Sequence, residues 1–426
     1  MYNVWKTWEE FNQVIKNKRV VFFGVADDWF EKTFRRSDVN LAYIVDNNPT
    51  RKNKKYNVNE KYGDIEVKDP AILKDKLDDT YIVITSGAYI SIIPQLLSYG
   101  LKAGDDFCCT PAMNSLKVII DFDECPTKLL VCSSEHQIYA EIDKDKNIGG
   151  GLYLYEVNKR SYKKLMDGNF HQIIDASDKY YILDEKRGCL VVSKELEIIN
   201  EFGFEMDSFS HGLTYCPIRE KIFISKAGLD KISVYNTRDF SHLEDIVLSS
   251  KTAKYKRDNH HMNDIFVKDD FLYVSLFSHS GNWPKGIYDG GIIEINLDNY
   301  SDRHILINDA WMPHGVCFID NELHYLDSMS GRLYRGSKKL LGEFSGFVRG
   351  LAYDSNFYYI GQSEGRYFDR LQGIKNYISL SGGVYMFDPQ TKAGRFLSMQ
   401  GVRQIRNVMV LSNENFNIIN NKFELE

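Results

Sequence analysis

An α/β domain followed by an all-β propeller of six blades is the fold class the sequence predicts, and three observations carry it. Short apolar strands alternate with helix-spaced segments over residues 1–115. Six related segments recur over residues 127–411. The last of these lacks a following strand, while an orphan strand stands at the front of the region, as a closed ring would require. Residues 116–126 read as a linker and 412–426 as a polar C-terminal tail.

In the first domain Trp5, Trp8, Phe11, Val14 and Ile15 recur at helical spacing. Arg19 to Gly24 is a continuous apolar run, the pattern of a parallel strand buried on both faces. Asp27–Arg36 reads as a helix and Leu41–Asp46 as a second strand. After the polar stretch Asn47–Asn59 come a helix at Pro70–Leu77, a strand at Tyr81–Ser86 and a helix at Tyr89–Tyr99 closed by Gly100. Strand and helix in alternation imply a parallel sheet with crossover helices.

Gly24 ends the first strand and Asp46 the second, about 20 residues on, which is where a dinucleotide site keeps its ribose-binding acid. The glycine-rich turn does not follow. Ala26 and Trp29 stand at the second and third glycine positions, and Asp27 with Asp28 places negative charge where a pyrophosphate would sit. Bound NAD is therefore not expected, and a docking or tethering role toward a protein partner is favoured. Val45-Asp46-Asn47-Asn48-Pro49, Val67-Lys68-Asp69-Pro70 and Ile82-Val83-Ile84-Thr85-Ser86 resemble the small Rossmann-like domains attached to bacterial sugar-modifying and methyltransferase enzymes. That resemblance implies a Rossmann-like fold for this quarter of the chain.

The repeat is a polar residue, one further residue and a short apolar run. It is seen at His171-Gln-Ile-Ile, His211-Gly-Leu-Thr, Asn263-Asp-Ile-Phe, His314-Gly-Val-Cys, Arg349-Gly-Leu-Ala and Arg406-Asn-Val-Met. A second strand follows each of the first five, at Tyr180–Asp184, Lys221–Ser225, Leu272–Ser275, Leu323–Asp327 and Phe357–Gly361. The orphan second strand is Lys128–Cys132, so the segment at Arg406 is expected to pair beside it and close the ring. Closure removes exposed sheet edges.

Variation in repeat length falls between second and third strands, at Ser133–Gly149, Leu276–Gly290 and Gln362–Gly382, and each loop ends in consecutive glycines. In a propeller these loops emerge on the face where the innermost strands begin. The long loops and the six polar starts are thus expected at one mouth of the axial channel, and loops on a rigid scaffold commonly carry function.

The six starts form a candidate ring of His171, His211, Asn263, His314, Arg349 and Arg406. His171, His211, His314 and Asn263 are a donor set for a divalent metal such as zinc, manganese or iron. Arg349 and Arg406, joined by Asn263, Asp327 and Glu364, suit an anionic substrate through charge-assisted bonds. Without metal, His171, His211 or His314 is a general base near neutral pH. Asp184, Asp327 and Glu364 end second strands and either cap loops or orient a histidine. His260 and His261 read as a solvated loop pair at the rim. Trp283, Tyr288, Tyr367 and Phe368 in long loops either stack on a sugar ring or pack on the blade below. A channel merely lined with solvated polar groups stays open beside these readings, and channel residues are expected to matter little for folding.

Composition narrows the partners. The chain has 426 residues and a formal net charge of −6, too mild to argue for nucleic acid or an anionic membrane. No apolar run approaches the roughly 18 residues of a membrane span. The start shows no signal peptide, and seven cysteines without a CxxC pattern suggest neither a disulfide framework nor a zinc site. A cytoplasmic location is the expectation.

Met312-Pro-His-Gly-Val316, Tyr325-Leu-Asp-Ser-Met-Ser-Gly331, Val348-Arg-Gly-Leu-Ala-Tyr353, Ile360-Gly-Gln-Ser363 and Gly382-Gly-Val-Tyr385 resemble an uncharacterised bacterial six-bladed propeller family. More remotely the repeat is similar to gluconolactonase and strictosidine-synthase-like propellers. Gluconolactonases hold an axial calcium with Glu, Asn and Asp ligands, and only Asn263 matches such a ligand here. By chemistry rather than motif, the ring also resembles propeller polysaccharide lyases with a histidine-bound metal. Together these imply an enzyme acting on a small anionic, carbohydrate-derived substrate by hydrolysis, elimination or isomerisation. The alternative is a non-catalytic ligand- or partner-binding propeller tethered by the first domain.

Overall fold

The computed structural model describes residues 4–25, 27–58, 60–75, 79–135, 149–251, 254, 258–365, 368 and 377–423. The chain divides into two compact units, Met1–Glu124 and Cys125–Glu426.

The first unit holds a six-stranded sheet. In sheet order its strands are Lys55–Asn57, Asp64–Lys68, Leu41–Val45, Arg19–Phe23, Thr80–Ile84 and Phe107–Cys109. Pairing is parallel throughout except at the Lys55–Asn57 edge, which is antiparallel. What the structure shows of the expected Rossmann-like domain is this mixed sheet with helices. The polar stretch 47–59 contains the edge strand, and the residues read as a linker hold a helix, Asn114–Asp123. Leu116 and Ile120 of that helix pack on the core beneath Phe107 and Cys109. Asp46 is already engaged: its carboxylate accepts from Val25 N at 3.1 Å, Asn48 N at 2.8 Å and Arg51 Nη1 at 2.9 Å. Ala26, singled out at the would-be phosphate turn, lies outside the described residues.

The second unit is a ring of six four-stranded antiparallel blades. The innermost strands of the first five are Phe170–Asp175, Ser210–Cys216, Met262–Lys268, Pro313–Ile319 and Phe347–Tyr353. In the sixth, Gln404–Leu411 pairs antiparallel with Lys128–Ser134, so chain segments far apart in sequence share one sheet and close the ring. Between blades lie apolar clusters, such as Leu190, Ile182, Phe170 and Leu152 at the closing joint. The tail read as polar is a helix, Asn413–Phe423, whose Phe416, Ile419 and Phe423 pack on that joint.

One irregularity recurs in every blade. The pairing of innermost with second strand slips at Phe170/Gln172, Ser210/Leu213, Met262/Ile265, His314/Cys317, Val348/Leu351 and Ile405/Asn407. Each slip falls on or beside a residue of the candidate ring. A bulge turns a side chain away from the direction the pleat would give it. Glycine follows the ring residue in three blades because the next strand is too near for a side chain. A Cβ on Gly212 would stand 2.2 Å from Asn263 O, and one on Gly350 2.7 Å from Val408 N.

Candidate functional site

A cavity of about 250 Å³ lies among the inner strands, lined by His211, Asn263, His314, Arg349 and Arg406 with Glu185, Phe209, Asp258, His261, Phe277 and Phe347. Five of the six ring residues therefore meet at one cavity. The sixth, His171, stands behind His211, its Nδ1 3.0 Å from His211 Nδ1 and its Nε2 3.3 Å from Glu185 Oε2. Phe209, His261 and Phe347 stand two positions before His211, Asn263 and Arg349, and Phe209 and His261 do so from just outside their strands.

Phe209, His261 and Met312 occupy equivalent positions in three blades, and all have left-handed backbone, with φ of 41°, 49° and 56°. Bulky residues seldom adopt such angles, and outliers of this kind cluster at functional sites.

The arginines are held differently. Arg349 is 1% exposed. Its Nε donates to Ser363 Oγ at 3.0 Å, its Nη2 contacts Gln404 Oε1 of the sixth blade, and its guanidinium lies over the Phe347 ring. Arg406 Nε donates to Ser134 Oγ at 2.7 Å. Their charge is balanced by carboxylates. Burial alone would raise Glu185, but His171, Arg406 and Asn169 overcome it and hold the group at about 2. Burial pushes Asp264 up to about 6, against the pull of Gly315 N–H, Arg349 and Arg406.

The imidazoles are neutral at pH 7. Burial, with Arg406 next, lowers His171 to about 4, and burial lowers His211 and His314 well below the usual value. His314 Nδ1 lies 2.9 Å from Met312 O, which can only accept, so that nitrogen carries the proton and Nε2 is the acceptor. His261 Nδ1 contacts the Asp258 carboxylate, so that nitrogen carries a proton. His260 and His261 are thus no solvated pair. His260 is buried between Ser278 O and Ser249 Oγ, and His261 lines the cavity beneath Trp283, their ring centroids 4.8 Å apart.

Other expected residues fall elsewhere. Asp327 accepts from Ser330 N at 3.4 Å within its own turn. Glu364 pairs with Arg403 at 3.0 Å. Asp184 accepts backbone N–H groups of Asn169, Lys186 and Arg187 as a loop cap. None of the three lines the cavity. Trp283 and Tyr288 pack on each other and on the Phe277 cluster, Phe368 is exposed, and Tyr367 lies outside the described residues.

The donors do not fit the metal expectation drawn from His171, His211, Asn263 and His314. Among the described residues no three His, Cys, Asp or Glu side chains converge as an ion would need. His171 and His211 turn their Nδ1 atoms to each other, while Phe277 packs against both His261 and His314. All seven cysteines are free, and no described helix is long and apolar enough to cross a membrane.

No protein-family description and no curated protein matches the chain. Among solved structures it is similar to one in a nidogen/laminin complex, with TM-score 0.49 and 15% identity, covering 67% of this chain and 98% of that one. A protein of unknown function from Bacteroides caccae gives TM-score 0.46 and 13% identity, covering 68% and 100%. A protein provisionally named a gluconolactonase gives 0.40 and 14%, covering 56% and 80%. The fold assignment rests on the six closed blades rather than on these likenesses.

Proposed function

We propose that the propeller takes a small anionic, carbohydrate-derived molecule into its axial cavity and acts on it by acid–base chemistry. The observation that carries this is the meeting of Arg349 and Arg406 with His211, His261 and His314 in one cavity. Guanidinium groups offer charge-assisted bonds to a carboxylate or phosphate. The neutral imidazoles of His211 and His314 beside them accept a proton from a hydroxyl or an activated C–H, the step that hydrolysis, elimination and isomerisation share. Phe209, Phe277 and Phe347 supply apolar wall for the carbon face of a sugar-sized ligand. No step is routed through a metal ion.

Inorganic phosphate tests the anion site without knowledge of the substrate. Calorimetric titration should show saturable binding to the intact protein. Arg406→Ala should weaken it by about 1.5–3 kcal/mol, the range of a hydrogen bond to a charged group. Arg406 is the cleaner variant, since Arg349 also ties two blades together. Equal affinity in the variant and the parent would refute the reading.

A further inference from the structure

We propose that Glu185, His171 and His211 form a proton relay between the first two blades, in which Glu185 sets the tautomer of both imidazoles and His211 keeps a bare Nε2 for the axial cavity. Glu185 ends its relay as an acceptor. Its Oε2 takes a hydrogen bond from Asn169 Nδ2 at 2.6 Å and faces His171 Nε2 at 3.3 Å, with Arg406 on the same cavity wall. An ionised carboxylate only accepts, so His171 carries its proton on Nε2.

A neutral imidazole protonated on Nε2 has its lone pair on Nδ1. His171 Nδ1 lies 3.0 Å from His211 Nδ1, and two lone pairs or two N–H groups cannot face each other at that distance. His211 therefore donates from Nδ1, and its Nε2 is left as the acceptor. Burial and the Arg406 guanidinium keep both rings neutral at rest, and the Glu185 carboxylate, which pulls His171 the other way, is what holds a transient charge on that ring. Glu185 is the one carboxylate in contact with the pair among the described residues.

The relay moves one proton in and one proton along. A ligand O–H or C–H gives its proton to His211 Nε2, and the bonding pair stays on the ligand. The Nδ1 proton of His211 passes to His171 Nδ1. His211 is then neutral again, and the positive charge rests on His171 against the Glu185 carboxylate, one residue removed from the arginines' anion. His211 is the catalytic residue in this scheme, while His171 and Glu185 are positioning residues. Use of the relay on a ligand rests on the proposed function; the tautomer order does not.

Nitrogen-15 spectra of the imidazoles in the full-length protein at neutral pH read that order directly. The expected result is His211 protonated on Nδ1 and bare on Nε2, with His171 the reverse. His211 protonated on Nε2, or His171 protonated on Nδ1, would overturn the relay. His171→Phe removes the acceptor and should convert His211 to a mixture of tautomers, and an unchanged His211 spectrum in a folded variant also overturns it. The parent spectrum needs no variant to fold. Phosphate binding that fails while the tautomers hold would count against the proposed function, and with it the relay's use on an anionic ligand, and leave the tautomer order standing.

Discussion

Arg349 does two jobs, and they conflict with the expectation that channel residues leave folding untouched. Its guanidinium bonds to Ser363 in its own blade and reaches Gln404 in the next, while one side lines the cavity. Removing it strips hydrogen bonds from buried partners as well as a charge from the ligand site. The buried histidines make a second prediction. His171 and His324 are lowered by burial to about 4, and His211 and His314 also lie well below the ordinary value of 6.5. Between that value and 4 the unfolded chain binds more protons than the folded one, so stability falls as pH falls through this window. His171 alone is worth on the order of 3 kcal/mol by this linkage. Asp264, raised to about 6, works in the opposite sense over part of the same range, as do Asp184 and Asp327, which burial also raises, but His279 joins the four histidines on the other side. Thermal melts should therefore drop in Tm from pH 7 toward the acid side, less steeply in His171→Phe; a Tm that holds or rises would count against these assignments.

The ring residues were legible in the sequence because one polar position recurs in front of one apolar run. Phe347 was readable by the period of a strand, two positions before Arg349, but Phe209 and His261 precede their strands in left-handed conformation, where that period does not apply. Glu185 was hidden behind Asp184. The strand-end position pointed to the aspartate, and it is the glutamate one residue on that meets His171. The bulges that turn the ring inward leave no local pattern beyond the following glycines at Gly212, Gly315 and Gly350.

Among elements, the C-terminal helix shows how composition can mislead. Five asparagines in Asn413–Phe423 gave the segment a polar look, yet Phe416, Ile419 and Phe423 fall on one face at helical spacing. Asn415 Nδ2 donates to Asp175 at 2.8 Å and Lys422 pairs with Glu197 at 3.1 Å, so the helix grips the first blade while continuing from the sixth. It covers the joint where the ring closes. Ile419 is fully buried, and Ile419→Ala should cost about 2–5 kcal/mol, the usual loss for such a truncation in a core. A denaturant midpoint unchanged by that substitution would mean the helix does not hold the closure. The helix at Asn114–Asp123 was missed although half of it is apolar, with Leu116 and Ile120 at helical spacing.

At the scale of the whole propeller, circular closure and the axial cavity follow from the same repeat. Six inner strands bring six equivalent positions to one axis, and the bulge in each re-aims the side chain found there. The repeat thus fixes where a site must be, and the residues at the repeat position decide what it holds. Here they give two guanidiniums, two cavity imidazoles and an amide, and His261 adds a third imidazole, so that positive charge and proton-accepting nitrogen share one volume of about 250 Å³. The central claim is that this volume is an anion site. Anomalous diffraction from a crystal soaked in bromide or tungstate tests it most directly. The account predicts a peak in the axial cavity within bonding distance of Arg349 and Arg406, lost in Arg406→Ala. Anion peaks confined to the outer surface, with the axial cavity holding only water, would contradict it.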